Sequence, residues 1–227
     1  MVRPLSQAEI ETFFARLKAR NPAPETELTY TNPFTLLVAV VLSAQATDKG
    51  VNRATAALFN IADTPQKMAA LGEEKLSDYI KTIGLYRTKT KNVIALSRIL
   101  IEKFAGEIPR TREELESLPG VGRKTANVVL NVAFGENTMA VDTHIFRVSN
   151  RTGLAPGKDV LEVELNLLKR MPYEYRLHAH HWLILHGRYI CVARKPLCPV
   201  CPVADVCHFA DKTKEGPALK TTARERG

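Results

Sequence analysis

Apolar residues along this chain recur three and four positions apart, and the strict alternation of a half-buried strand is almost absent. That pattern predicts an all-α protein. Ser6-Gln7-Ala8-Glu9 has the form of a capping box opening an amphipathic N-terminal helix. Asn32-Pro33 offers an N-cap followed by proline at the first helical position, so the apolar run Leu36 to Leu42 is predicted to be a buried helix ending near Ala46 rather than a strand. Further helical patterns cover about 49–60, 73–82, 88–104, 112–118 and 123–134, and beyond Gly135 about 143–152, 158–170 and 174–190. No internal repeat stands out, and no shift in composition marks a linker between halves.

Composition narrows the class. With 227 residues, 45% of them hydrophobic, most of the chain can build a core rather than remain disordered. The exception is 211–227, a charged stretch without aromatics and with a single leucine, expected to be a disordered basic tail. The longest apolar run is far short of the roughly 20 residues that span a bilayer, and the N-terminus lacks the apolar core of a secretion signal. A protein of the cell interior, without a signal peptide, is expected. Lys and Arg outnumber Asp and Glu by 32 to 24, for a formal charge of +8 and a pI near 9.4. The balance favours a polyanionic partner, although charge alone does not separate nucleic acid from other anionic surfaces.

Candidate chemistry lies in two places. Thr111 and Glu114 suggest a second capping box, opening a short helix that ends at Leu118-Pro119-Gly120-Val121-Gly122, after which Ala126, Val129, Leu130 and Ala133 form a helical stripe. This is the outline of a helix-hairpin-helix. Gly120 and Gly122 allow positive φ and close approach to another backbone, and the first amides of the second helix face an anion such as a DNA phosphate. An ordinary helix corner with a glycine cap gives the same pattern. Arg123-Lys124 stands where the helix dipole disfavours cations. A bound phosphate would compensate Arg123, and the positive potential would depress the Lys124 ammonium towards a nucleophilic free amine. Two solvated surface charges remain the alternative.

All four cysteines fall between Cys191 and Cys207, a poor way to staple a chain of this length and a good way to hold metal. The pattern C-x6-C-x2-C-x5-C at Cys191, Cys198, Cys201 and Cys207 contains only one C-x2-C knuckle, where structural zinc usually has two. The spacing therefore favours iron–sulfur over zinc. Arg194 and Lys195, between the first two cysteines, are either phosphate contacts or part of a solvated basic loop. His178, His180, His181 and His186 share no standard ligand motif and read as packing or surface residues.

The run Leu118-Pro-Gly-Val-Gly-Arg-Lys-Thr-Ala-Asn127, the run Val141-Asp-Thr-His-Ile-Phe-Arg147 and the cysteine spacing together closely resemble the endonuclease III family, over about Leu28 to Cys207. The resemblance implies that Lys124 attacks the sugar and that Asp142 assists, although Asp142 reads equally well as a plain N-cap of the helix beginning at Thr143. It implies one 4Fe-4S cluster of structural role on the four cysteines. Within Leu42-Ser-Ala-Gln-Ala-Thr-Asp48 it points to Gln45 as the filler of the gap left by a flipped nucleotide, and within Gly84-Leu85-Tyr86 to Leu85 as a wedge. The plainer alternatives are that Gln45 ends a buried helix and that Leu85 belongs to the core.

Related glycosylases narrow the expected activity. Adenine-mismatch enzymes lack the lysine and add a C-terminal domain that is not expected here. Oxidised-guanine enzymes lack the four cysteines, and alkylated-base enzymes lack both features. The pyrimidine-lesion branch remains, implying a bifunctional N-glycosylase that removes oxidised pyrimidines and cuts abasic sites by β-elimination through a lysine Schiff base. A monofunctional glycosylase and a non-catalytic iron–sulfur DNA-binding protein are the rival expectations.

The implied architecture is two helical lobes: a helical barrel domain at 27–137 with the hairpin at about 111–134, and a cluster domain formed by 1–26 and 138–210, with DNA in a cleft between them. DNA contacts are expected from Gln45, Leu85, Gly120, Gly122, Arg123, Arg194 and Lys195. The expected partner is duplex DNA bearing a damaged pyrimidine or an abasic site, met by a monomer without a membrane, in the bacterial cytoplasm at the nucleoid.

Overall fold

The computed structural model of the chain describes residues 2–214. Among them every regular element is helical, as the apolar spacing predicted. Most of the expected tail, 215–227, lies outside the described residues. The chain divides into two compact units, Pro24–Ala140 and the pairing of Met1–Ala23 with Val141–Gly227.

The first unit is built around α2 (Pro33–Ser43), in which every residue from Phe34 to Leu42 is buried. A helix apolar on all sides belongs at the centre of a helical cluster. It packs against α3 (Asp48–Ile61), α5 (Tyr86–Phe104) and α7 (Arg123–Phe134), while α4 (Pro65–Ile80) lies along α5. Leu36, Leu37, Leu42, Leu58, Met68, Leu76, Ile80 and Ile94 fill the core. The start of α2 is fixed reciprocally: Asn32 accepts from the Thr35 N–H at 2.9 Å, and Thr35 Oγ1 accepts from the Asn32 N–H at 3.0 Å.

Two expectations need correction in this unit. The first half of α4, from Pro65 to the break at Gly72 (φ 78°), was not predicted although Thr64 caps it. The left-handed glycine interrupts the apolar period after barely two turns, so the segment shows no helical stripe of its own. The predicted box at Thr111 closes only halfway. Thr111 Oγ1 accepts from the Glu114 N–H, but the Glu114 carboxylate accepts from the Thr111 hydroxyl rather than from backbone. The short α6 (Arg112–Glu116) also ends two residues earlier than predicted.

The second unit joins α1 (Gln7–Arg20) to α8 (Thr143–Thr152), α9 (Val160–Arg170) and α10 (Arg176–Tyr189). Here the predicted capping box is complete, with Glu9 accepting from the Ser6 N–H at 2.6 Å. That bond and the Ser6 hydroxyl hold the Glu9 carboxyl down at about 2. Phe14 stacks on Tyr175 at 5.6 Å, and Trp182 Nε1 donates to the Asn21 carbonyl at 2.7 Å, which seats α1 on α10. Gly153 (φ 84°) meets the segment ahead of α1 so closely that a Cβ there would lie 2.3 Å from the Arg3 carbonyl oxygen. Among the described residues no helix is long and apolar enough to cross a membrane.

Candidate nucleic-acid interface and cysteine centre

The hairpin is built by turn chemistry. Val121 N–H donates to the Leu118 carbonyl at 3.1 Å, and Gly120 turns the chain with φ 79°. A side chain at 120 would also collide with Asn92 of α5, whose Nδ2 would stand 2.8 Å from the added Cβ. Both demands select glycine. Gly122, the N-cap of α7, brings no side chain to the amides of the first turn, in contrast to the Thr111, Asp142 and Asp159 caps of α6, α8 and α9. Arg123 is half-buried, Lys124 is exposed, and the first turn of α7 contains no acidic residue. Partial positive charge and two cations thus meet at one helix end, an arrangement that suits a polyanion.

Gln45 and Leu85 come together on the same unit. Each is a non-glycine residue in the left-handed region, at φ 54° and φ 61°. A Cβ on Gly84 would lie 3.7 Å from the Gln45 carbonyl oxygen, so the two turns stand side by side. Such conformations cost on the order of 1–3 kcal/mol each, and they concentrate where a backbone has a task other than folding. Gln45 is exposed, and Leu85 is 59% exposed. The core reading of Leu85 is therefore set aside. An apolar side chain held outward on a strained turn is available to contact something else.

Asp142 caps α8 with one oxygen: Oδ1 accepts from the His144 N–H at 2.9 Å and from the Ile145 N–H at 2.8 Å. Oδ2 takes part in neither bond. The carboxylate is partly exposed and its rotamer is fixed by the cap. Lys124 belongs to the first unit and Asp142 to the second.

The same helix reaches the cysteine loop through two arginines that sequence reasoning did not assign. Arg147 donates from Nε to the Cys191 carbonyl at 3.0 Å and from Nη2 to the Gly187 carbonyl at 2.7 Å. Arg151 donates to the carbonyls of Val192 at 2.8 Å and Ala193 at 3.1 Å, places Nη1 3.6 Å from Cys191 Sγ, and lies over the Phe209 ring at 4.8 Å. Their spacing of four places both on one face of α8. Arg194 and Lys195 are exposed on the intervening loop, with Lys195 at φ 51°.

The donor set fits an iron–sulfur cluster. Cys191 is buried and the other three thiols are half-buried. Burial pushes Cys201 up to about 11, and the neighbouring Cys207, Cys191 and Cys198 add to it. Burial raises Cys207 as well, and buried thiols this reluctant to ionise, within electrostatic reach of the other two cysteines, call for a shared positive centre. The surroundings offer donors to sulfur: Phe209 N–H lies 3.4 Å from Cys207 Sγ, and His186 Nε2 lies 3.8 Å from Cys201 Sγ. Burial pushes His186 down to about 4, so its ring is neutral and can present one N–H. The other three histidines of α10 pack instead, His178 against Trp182 at 5.6 Å and His180 against His181 at 5.1 Å.

Comparison with known proteins agrees with these features. Residues 38–172 match the HhH-GPD superfamily of base excision DNA repair proteins, and residues 191–207 match the iron-sulfur binding domain of endonuclease III. Endonuclease III of Haemophilus influenzae is 60% identical over 199 residues, covering 88% of this chain and 94% of that protein. Endonuclease III of Escherichia coli K12 is 57% identical over 208 residues, covering 92% and 99%. A solved structure of a trapped endonuclease III–DNA covalent intermediate superposes with a TM-score of 0.84 at 48% identity, covering 89% of this chain and 96% of that one.

Proposed function

Because the chain belongs to the endonuclease III family, within the HhH-GPD superfamily of base excision DNA repair proteins, we propose that Lys124 is its nucleophile and Asp142 its charge-stabilising carboxylate. The protein is a DNA glycosylase with AP lyase activity that acts on duplex DNA and carries an iron–sulfur cluster. Oxidised pyrimidines in nucleoid DNA of the cytoplasm are the assigned substrate. The observation that carries this reading is the exposed Lys124 at the uncapped head of α7, directly behind the Gly120–Gly122 turn.

The hairpin amides and Arg123 hold a phosphate of the damaged strand, and Arg194 and Lys195 hold the backbone further along. Leu85 wedges against the opposite strand, and Gln45 fills the space vacated by the extruded nucleotide. The Lys124 amine attacks C1′, the base departs with the electrons of the glycosidic bond, and the ring-opened sugar forms a Schiff base with Lys124. Loss of a C2′ proton then expels the 3′ phosphate and cuts the strand. Asp142 Oδ2, not engaged by the helix cap, faces the positive charge that develops at C1′. When bound by Cys191, Cys198, Cys201 and Cys207, the cluster supplies a rigid cross-link for the loop that bears Arg194 and Lys195, and no step of the reaction.

Incision of a duplex containing one thymine glycol tests the reading. Base release followed by cutting on the 3′ side is expected. Release without cutting would make the enzyme monofunctional, and binding without either would make it a non-catalytic DNA-binding protein.

Two further results are expected. Protein made under iron-replete anaerobic conditions should be yellow-brown and contain about four irons per chain, and stoichiometric zinc would sink the cluster assignment. Gln45→Ala and Leu85→Ala should slow excision from intact duplex more than cutting at a preformed abasic site, since only the former bears the full unstacking cost of a few kcal/mol. Wild-type rates on both substrates would return the two residues to a structural role.

A further inference from the structure

Asn127 lies one turn beyond Lys124 in α7 and is 1% exposed. Its Nδ2 donates to the Met139 carbonyl at 2.9 Å, while its own backbone carbonyl accepts from Thr138 Oγ1 at 2.6 Å. A turn further along, Asn131 Nδ2 donates to the Glu136 carbonyl at 2.8 Å. The inward face of α7 therefore grips 136–139 by side-chain bonds where regular pairing is missing. Met139 stands three residues ahead of Asp142, so Asn127 ties the approach to Asp142 directly to the helix that begins with Arg123-Lys124.

The geometry of this amide is costly for the fold. Asn127 Oδ1 is buried and has no hydrogen-bond partner among the described residues. Exchanging the amide's two ends would not help, because oxygen would then face the Met139 carbonyl oxygen. An apolar side chain of similar size would remove the orphaned acceptor, though it would leave the Met139 carbonyl without its donor. A polar group held at such a cost, between two segments that carry reacting groups, has a task that packing alone does not require.

We infer that Asn127 is a positioning residue for base release, fixing on α7 the segment 136–139 from which the chain runs on to Asp142. The inference rests on the roles proposed for those two residues. A displacement of the carboxylate of about 1 Å is enough to lose catalysis without loss of binding.

Asn127→Leu and Asn127→Asp separate positioning from folding, with Asp142→Asn measured in parallel on thymine-glycol and abasic duplexes. Asn127→Leu should lower kcat for base release roughly 10- to 100-fold, with KM changed by less than about twofold and a cooperative thermal transition retained. Cutting at a preformed abasic site should fall much less. Asn127→Asp should work better at low pH, where the protonated carboxyl can donate to the Met139 carbonyl. It should fail as pH rises and two oxygens repel, a dependence the wild-type enzyme lacks. Base release at the wild-type rate in a folded Asn127→Leu variant would overturn the inference, as would an equal fall in both activities. Wild-type base release by Asp142→Asn would instead remove the reading on which the inference rests, and the inference with it.

Discussion

Replacing Lys124 by alanine is expected to abolish borohydride trapping and strand cutting while leaving DNA affinity nearly unchanged. Only an amine can form the imine that borohydride reduces, and no other group at the head of α7 can take its place, because Arg123 does not deprotonate in a protein. Affinity is a different matter. The hairpin amides, Arg123, Arg194 and Lys195 share the phosphate contacts assigned to the interface, so deleting one cation should lower the slope of log K against log salt by only about one unit. The fold should tolerate the change. Lys124 is exposed, and alanine is a better helix former at that position. An adduct formed by Lys124→Ala at near the wild-type rate would place the nucleophile elsewhere.

How much of this was legible in the sequence follows from how local each signal is. Ser6, Asn32 and Asp142 act within three residues of themselves, and each caps the helix expected from its spelling. The apolar run Leu36–Leu42, which burial on all sides deprives of a surface helix's periodicity, was legible as a helix through the Asn32-Pro33 start signal ahead of it. Signals with distant partners were silent. Arg147 and Arg151 bind carbonyls 40 or more positions away, and a backbone acceptor leaves no mark in the sequence. Asn127 stood at the end of the quoted hairpin run with no role given to it, because its partner is the backbone carbonyl of Met139. The left-handed turns at Gln45 and Leu85 were equally hidden, because positive φ is usually advertised by glycine and neither position has one. The resemblance named both residues; the strained turns they occupy became visible only in the structure.

The cysteine loop illustrates the same point from the other side. Its spacing announced a metal centre, but not what holds the loop in place. Asp142 fixes the N-terminus of α8, and one and two turns later the same helix presents Arg147 and Arg151 to the segment Cys191–Ala193. The proposed catalytic carboxylate and the backbone of the first cysteine are thus both tied to α8. A variant at 142 therefore has to be judged for what it does to the cap before it is judged for chemistry.

Asp142→Asn meets that requirement. The asparagine Oδ1 can still accept from the His144 and Ile145 amides, and asparagine ranks with aspartate as an N-cap. Thermal stability and iron content should therefore stay close to wild type, whereas Asp142→Ala should lose about 1 kcal/mol of stability with the cap. Base release should nonetheless fall by about 100-fold or more in Asp142→Asn, because the carboxylate charge beside the developing cation is gone. The lyase step should suffer less. A preformed abasic sugar exposes an electrophilic carbon in its open-chain form, and Lys124 can condense there without first expelling a base. The comparison that matters is the ratio of the two activities in a single folded variant. A selective loss of base release assigns Asp142 to charge stabilisation, whereas wild-type base release by Asp142→Asn would leave it a helix cap and nothing more.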